Sequence, residues 1–298
     1  MEAYKKILFF LTFLLLTIFG ISNCSKDNFS AVSNQNSGGD NAAGGGATTT
    51  TGGGTCSLSQ VLVPINVIFV VDRSGSNAIE SQDEGTEQCT NPNLTGCAPP
   101  TDPTLTFRGG SIQAFFNANQ ANTNFSWGFL VFSGQSATSY IQNGTQAAFG
   151  NATQMQNAIT TFYADTDQDA TPYLAALNSA QDAISNDPGL YLAGNQAPLY
   201  EIIFISDGYP TDALSSENPV TVDLTEIKNA ITNISNLAPG RIFLSAVYYG
   251  TIDDPNAANT LQNMATTGGG QFVNADTGSS TSSISIDDLI TVPIGDCP

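Results

Sequence analysis

The sequence contains no histidine and few basic residues. Its 298 residues include 7 Lys and Arg against 26 Asp and Glu, a formal net charge of −19. Only 11% of the residues are charged, against about 25% in an average soluble domain, so the acidity reflects a shortage of bases rather than dense acidic runs. The absence of His excludes a Ser-His-Asp triad, a Cys-His pair and a His-liganded zinc site. The acidity excludes electrostatic binding of nucleic-acid phosphates.

A hydrophobic content of 41% is enough to build a core, and the length suits one large domain or two small ones.

The N-terminus has the pattern of an export signal. Lys5 and Lys6 precede an apolar run at 7–21, which is too short for a stable transmembrane helix. The run ends in Ile21-Ser22-Asn23-Cys24, which resembles a bacterial lipobox. We therefore predict a lipoprotein signal peptide at 1–23, with Cys24 lipidated and holding the exported chain at the cell envelope, the outer membrane or cell surface being favoured. The alternative is a plain secretory signal with an incidental Cys.

Residues 24–55 are rich in Ser, Asn, Thr, Ala and Gly and show no apolar periodicity, so we predict a flexible tether. The folded domain is expected at 56–298. Four cysteines remain there, Cys56, Cys89, Cys97 and Cys297, and an even number in an exported chain suggests two disulfides. Three pairings are possible. We favour Cys89–Cys97, across a short loop, with Cys56–Cys297 joining the ends of the domain. A four-Cys zinc site does not match these spacings.

From residue 60 onward the pattern alternates between strand and helix. Continuous apolar runs predict buried strands at 65–72, 125–133, 199–206 and 241–249, with shorter strands at 138–142, a possible hairpin partner of 125–133, and at 270–275. Amphipathic stretches predict helices at 110–120, 151–164, 172–186, 221–235 and 256–267. This alternation predicts an α/β fold with a doubly wound, mostly parallel sheet and helices on both faces. Ligands bind at the carboxyl ends of the strands in such folds.

Polar residues capable of holding a metal follow two of these strands. The run 65–72 ends in Asp72-Arg73-Ser74-Gly75-Ser76, and the run 199–206 ends in Ser206-Asp207-Gly208. Between them, Thr171 stands as a candidate cap before a helix that begins at Pro172. Carboxylates and hydroxyls at one edge of a sheet can converge on a hard cation. The alternative for the first segment is an ordinary polar turn, in which Asp and Ser satisfy backbone donors.

These segments, in this order, resemble the von Willebrand factor A domain family, whose metal-ion-dependent adhesion site reads D-x-S-x-S, then a distant Thr, then a distant Asp. The resemblance covers about 60–295 and implies a Rossmann-like fold. It also implies a set of metal ligands, which are Asp72, Ser74, Ser76, Thr171 and Asp207. Oxygen ligands of this kind favour Mg²⁺, with Mn²⁺ or Ca²⁺ as alternatives.

The resemblance implies a function in adhesion rather than catalysis. An acidic side chain of a partner protein would complete the metal shell by filling its sixth position. The net negative charge of the chain opposes an acidic partner, so we expect a carboxylate presented by a partner that is neutral or basic overall. One alternative is a metal-assisted hydrolase using the same ligands, although the sequence offers no obvious general base. Another is a structural envelope protein with a vestigial site.

Two features depart from the family pattern. Residues at about 77–106 form an insertion directly after the D-x-S-G-S segment; it could form a partner-binding surface, cover the site, or be a tolerated surface loop. Arg73 is expected to point into solvent.

Asp165, Asp167 and Asp169 resemble the start of an EF-hand loop, but Ala170 and Ala176 replace the required Gly and Glu. We therefore predict a solvated acidic loop there, with Asp169 supporting Thr171.

Overall fold

The computed structural model describes residues 48–51, 54–57, 61, 63–77, 100–167, 170–214, 222–250, 255–275 and 284–292. All of them fall within one compact unit, Gly46–Pro298. Within these ranges, the helices are each too short or too polar to cross a membrane. The predicted signal peptide and Cys24 lie outside the described residues, and so do Cys89, Cys97 and Cys297; Cys56 lies in a strand. The lipidation and both disulfide pairings therefore stay predictions.

The strands in chain order are β1 (Thr48–Thr51), β2 (Gly54–Ser57), β3 (Ile65–Asp72), β4 (Phe125–Ser133), β5 (Ser136–Ser139), β6 (Gln142–Asn143), β7 (Gln146–Ala147), β8 (Leu199–Ser206), β9 (Ile242–Tyr248) and β10 (Gly269–Asn274). The helices are α1 (Arg108–Asn119), α2 (Ala152–Ala164), α3 (Tyr173–Ser185), α4 (Leu224–Ser235) and α5 (Pro255–Gly268). Short 3₁₀ turns occupy Gly75–Asn77, Pro188–Tyr191, Gly194–Gln196 and Ile286–Leu289. The end of the predicted tether thus forms β1 and the start of β2, which pair with each other.

The central sheet has six strands in the order β10-β9-β8-β3-β4-β5. The strands from β10 to β4 run parallel, and β5 pairs antiparallel with β4 at one edge. Strands β3, β4 and β8 are buried on both faces, which explains why their sequences read as continuous apolar runs. The predicted hairpin partner of β4 is confirmed as β5, although it begins at 136 rather than 138.

Helices cover both faces of this sheet. Alternate residues of β3 enter two separate cores: Val67 and Phe69 pack on one side, Ile68 and Val70 on the other. On the first side lie α1, α2 and the Ile286–Leu289 turn, and on the second lie α3, α4 and α5. The doubly wound, mostly parallel α/β fold predicted from the sequence is therefore confirmed.

The topology determines where a ligand site can form. From β3 the chain crosses to β4 on one side, and after β5 it returns to the other side of β3 as β8. The order of the strands thus reverses between β3 and β8, which opens a crevice beyond their carboxyl ends. Asp72 is the last residue of β3, and Asp207 follows the last residue of β8. The fold therefore brings the two predicted carboxylates to the same crevice.

Candidate metal site

The segment after β3 folds back on its own aspartate. Asp72 is fully buried, and its Oδ1 accepts a hydrogen bond from the backbone N–H of Ser74 at 2.7 Å. The chain then enters the Gly75–Asn77 turn, which brings the Oγ atoms of Ser74 and Ser76 within 3.0 Å of each other. Ser74 is buried and Ser76 is exposed, so the two linked hydroxyls connect the protein interior to the surface.

The end of β8 joins this segment through two hydrogen bonds. The Ser206 hydroxyl donates to Asp72 Oδ2 at 2.5 Å, and the Ser76 hydroxyl donates to Asp207 Oδ1 at 3.0 Å. Asp207 is only 8% exposed, and its Oδ2 atom is buried with no hydrogen-bond partner in the described part of the chain. A buried carboxylate oxygen without a partner is costly, because it has lost water and gained nothing in exchange.

Thr171 lies beside these groups, but its role differs from the expected cap. Helix α3 begins at Tyr173 with Pro172 as its N-cap, and no side chain caps it, so the predicted cap at Thr171 is wrong. Its backbone is instead held by Thr211: each backbone N–H donates to the other residue, to the Thr211 hydroxyl at 3.0 Å and to the Thr171 carbonyl at 2.9 Å. A Cβ added to Gly208 would lie 3.9 Å from Thr171 Oγ1, which places this hydroxyl near Gly208, the residue that follows Asp207.

The electrostatics of the site favour the binding of a cation. Burial and the neighbouring charge of Asp207 raise the pKa of Asp72 from 3.8 to about 7. Burial also raises the pKa of Asp207 above its ordinary value, and this effect outweighs the opposing effects of the Thr101 and Ser76 hydrogen bonds and the Arg108 charge. Two carboxylates that repel each other in a buried crevice gain most from a positive charge between them.

The residues present fit a hard divalent cation. Two carboxylates and three hydroxyls, all oxygen donors, meet at one crevice, and the orphaned Asp207 Oδ2 supplies a free acceptor. In the described ranges, no group of three or more Asp, Glu, Cys or His side chains could hold a metal. Any cation bound here therefore depends on the hydroxyls of Ser74, Ser76 and Thr171, because the carboxylates alone are too few.

Residues that the sequence pattern did not single out orient Asp207. Asn77 is fully buried and its Nδ2 donates to Asp207 Oδ1 at 3.4 Å, while its Oδ1 accepts from the Tyr249 hydroxyl at 2.8 Å. These contacts direct two donors to Asp207 Oδ1 and leave Oδ2 for another ligand. Asn77 directly follows the D-x-S-G-S segment, so its place in the sequence is a clue that local inspection could have used.

Two arginines beside the site correct earlier expectations. Arg73 does not point into solvent: its side chain is 2% exposed, and its Nε donates to Asp167 Oδ1 at 3.0 Å. The same Asp167 pairs with Arg108 and is only 7% exposed. The loop at 165–167 is therefore not simply solvated, because the buried side chains of Arg73 and Arg108 both pair with Asp167. Asp165, which is half exposed, also contacts Arg73. Asp169 lies outside the described residues.

The insertion returns to the site at its C-terminal end. Residues 78–99 lie outside the described part of the chain. The backbone N–H of Thr101 donates to the Ser76 carbonyl at 3.0 Å, and Asp102 caps α1 by accepting from the N–H groups of Phe107 and Arg108. The last residues of the insertion thus form part of the crevice wall, which an interpretation as a tolerated surface loop did not anticipate.

No family model matches the chain, and no curated protein matches it. Its fold is similar to those of several solved structures. A von Willebrand factor type A protein from Catenulispora acidiphila is 13% identical with a TM-score of 0.45, over 74% of this chain and 40% of that one. The pilus adhesin SpaC from Lactobacillus rhamnosus GG is 15% identical with a TM-score of 0.49, over 74% and 29%. The PilB minor pilin from Streptococcus sanguinis is 16% identical with a TM-score of 0.46, over 76% and 58%.

The chain spans less than two thirds of the length of each of these three proteins. At these identities the likeness concerns the fold alone. What the chain does must therefore be argued from the chemistry of its own crevice.

Proposed function

We propose that the chain is a divalent-cation-dependent protein-binding module of the adhesion type, held at the cell envelope by its N-terminal lipid. Asp72, Ser74, Ser76, Thr171 and Asp207 would hold the cation, and a carboxylate of the partner would complete its shell. The single observation that carries this proposal is the buried, unpartnered Asp207 Oδ2 beside the linked hydroxyls of Ser74 and Ser76.

The donor set supports Mg²⁺ as the cation, with Mn²⁺ or Ca²⁺ as alternatives, because hydroxyls and carboxylates are hard oxygen ligands. A bound cation would offset the burial and the Asp207 charge that raise the pKa of Asp72. Two carboxylates balance the charge of a divalent cation only formally, because the hydroxyls coordinate the same cation. An open coordination position on the exposed side, at Ser76, therefore remains attractive to an anionic side chain. We propose no catalytic step for this site.

The anchor and the tether belong to the same proposal. The lipobox-like segment at 21–24 and the stretch at 24–55 would place the crevice at a distance from the membrane surface. A partner of neutral or basic overall charge would approach most easily, because the chain carries a net charge of −19.

The first test is cation binding by the purified full-length chain in detergent. Isothermal titration with MgCl₂ should show a single site for the wild type and none for Asp207→Ala. Asp182→Ala is the matched control, because it removes one exposed carboxylate of α3 outside the crevice, and it should bind Mg²⁺ as the wild type does.

The second test is partner capture from envelope extracts on immobilised protein. Capture should occur in Mg²⁺, disappear in EDTA and disappear with Asp72→Ala. If the same partner is captured in EDTA and by Asp72→Ala, the proposed role of the cation is wrong. Turnover of a phosphoester or peptide panel that Asp207→Ala abolishes would instead support a hydrolase.

A further inference from the structure

Arg108 lies at the start of α1 and is fully buried beneath the crevice. A buried guanidinium is retained in a fold only when acceptors surround it. Its Nη1 donates to the backbone carbonyl of Asp72 at 2.5 Å, and its Nη2 donates to Asp167 Oδ2 at 2.9 Å. Its Nε donates to Asp102 Oδ2 at 3.1 Å, and its Nη2 also reaches the Asp102 carbonyl at 3.1 Å.

These acceptors belong to three segments that build the crevice. The Asp72 carbonyl begins the loop of Ser74 and Ser76. Asp102 directly follows Thr101, whose N–H is bonded to the Ser76 carbonyl. Asp167 lies four residues before Thr171, and the intervening Ala170 carbonyl accepts from Gly134 in the turn after β4. One guanidinium therefore ties the loop of Ser74 and Ser76 to the end of the insertion and to Asp167, four residues before Thr171.

Two aromatic rings lie against the guanidinium. The Arg108 Cζ atom lies 5.8 Å from the centre of the Phe162 ring and 5.9 Å from that of Tyr249. Tyr249 is itself stacked on Phe107 at 5.1 Å and donates to Asn77, which orients Asp207. The rings leave the planar fork little freedom except to face its three acceptors. A lysine could supply the charge here but not the fork.

We propose that Arg108 is a positioning residue of the metal centre: it holds the Asp72 loop, the end of the insertion and the loop before Thr171 in the arrangement that binds the cation. This inference rests on the proposed function for its metal arm. Removing an outer partner of a metal ligand typically lowers metal affinity about 10- to 100-fold. We expect a loss of that size for Arg108→Lys.

The experiment compares Arg108→Lys with Arg241→Lys in the full-length chain. Arg241 is the matched control, because it precedes β9 at the amino ends of the parallel strands, away from the crevice at their carboxyl ends. Its guanidinium donates to the Ala197 carbonyl at 3.0 Å. Each variant is first checked in EDTA by the fluorescence of the single tryptophan, Trp127, which is buried in β4. Titration with MgCl₂ then measures affinity in the folded protein, so a loss of stability alone does not register.

A second readout needs no metal. Amide hydrogen exchange in EDTA should accelerate at 72–77 and at Thr101 and Asp102 in Arg108→Lys and stay unchanged there in Arg241→Lys. If Arg108→Lys does not fold, Asp167→Asn takes its place, because it loosens the tie to one segment and leaves Arg108 intact; a smaller loss of affinity is then expected.

The outcomes separate the two proposals. A folded variant with wild-type Mg²⁺ affinity and unchanged exchange at 72–77 overturns the positioning role. A wild-type chain that binds no Mg²⁺ overturns the proposed function, and the exchange measurement still decides whether Arg108 holds the loops.

Discussion

Replacing Asp72 with asparagine should stabilise the metal-free protein and abolish its response to Mg²⁺. The side chain is fully buried next to Asp207, and no cation relieves it in EDTA. Asparagine has nearly the same shape and can keep both contacts: its Oδ1 can accept from Ser74 N–H, and its Nδ2 can donate to the Ser206 hydroxyl in place of the bond that Asp72 Oδ2 accepts. The substitution therefore removes a charge and little else.

The size of the effect follows from the pKa of Asp72, which is raised from 3.8 to about 7 by burial and by the charge of Asp207. Between these values the folded protein keeps a proton that the unfolded chain releases, so the free energy of unfolding falls as pH rises through this window. At about 1.4 kcal/mol per pH unit, the ionised carboxylate costs about 4 kcal/mol at pH 8. An amide also pays for its burial, so we expect a gain of about 2 to 4 kcal/mol.

Urea denaturation followed by Trp127 fluorescence measures this directly. In EDTA, the wild type should lose stability from pH 5 to pH 8, and Asp72→Asn should lose less, keeping only the decline that Asp207 and Glu201 cause. Excess MgCl₂ at pH 8 should raise the urea midpoint of the wild type and leave that of Asp72→Asn unchanged. Asp182→Asn, a neutralised carboxylate on α3, should follow the wild type in both respects. The reasoning is refuted if Asp72→Asn is less stable than the wild type in EDTA at pH 8, or if Mg²⁺ stabilises both equally.

Four other substitutions test the site and the fold. Ser76→Ala removes the hydroxyl that donates to Asp207 Oδ1; calorimetry should show Mg²⁺ affinity reduced at least about tenfold, and the loss of a donor to a buried carboxylate should lower the free energy of unfolding by about 1 kcal/mol. Glu201 is fully buried in β8 and burial raises its pKa well above 4.5, so Glu201→Gln should raise stability at pH 8 and flatten its decline with pH in urea denaturation. Gly270→Ala would place a Cβ 2.3 Å from a backbone oxygen of β9 and should lower the free energy of unfolding by at least about 1 to 3 kcal/mol, whereas Gly110→Ala, with no atom within 4 Å, should raise it by about 0.5 to 1 kcal/mol.

Local sequence patterns were sufficient for the central strands. The bounds predicted for β3, β4 and β8 agree with the structure because each is a continuous apolar run that ends abruptly at a polar or turn residue. Helix starts were less accurate: α4 was predicted from 221 but begins at Leu224, after Asp223 caps it by accepting from Thr225 N–H. Both Asp223 and nearby Thr and Asn residues are good caps, so composition alone cannot choose among them.

The candidate site shows the same contrast between residues that a local pattern predicts and contacts that depend on the folded chain. Asp72, Ser74 and Ser76 form a local pattern, and the parallel sheet places Asp207 beside them, so their proximity could be predicted. The arginine contacts could not. Arg73 meets Asp167 across 94 positions, and Arg108 meets Asp72 across 36. Nothing near Arg73 in the sequence distinguishes a buried arginine from an exposed one, because its acceptors come from a loop that only the folded sheet brings near.

The buried arginines also limit how a partner can be held. In adhesion to a carboxylate, an exposed arginine could serve as a receptor on its own. Here two guanidiniums border the loop of Ser74 and Ser76, and those of Arg73 and Arg108 are only 2% and 0% exposed. Their hydrogen bonds are already accepted by Asp102, Asp167 and backbone carbonyls. Neither can turn toward a partner without abandoning a buried ion pair, which costs about 3 to 5 kcal/mol. Under the proposed function, a carboxylate captured at this crevice would therefore depend on the cation, so chelation should abolish capture rather than weaken it.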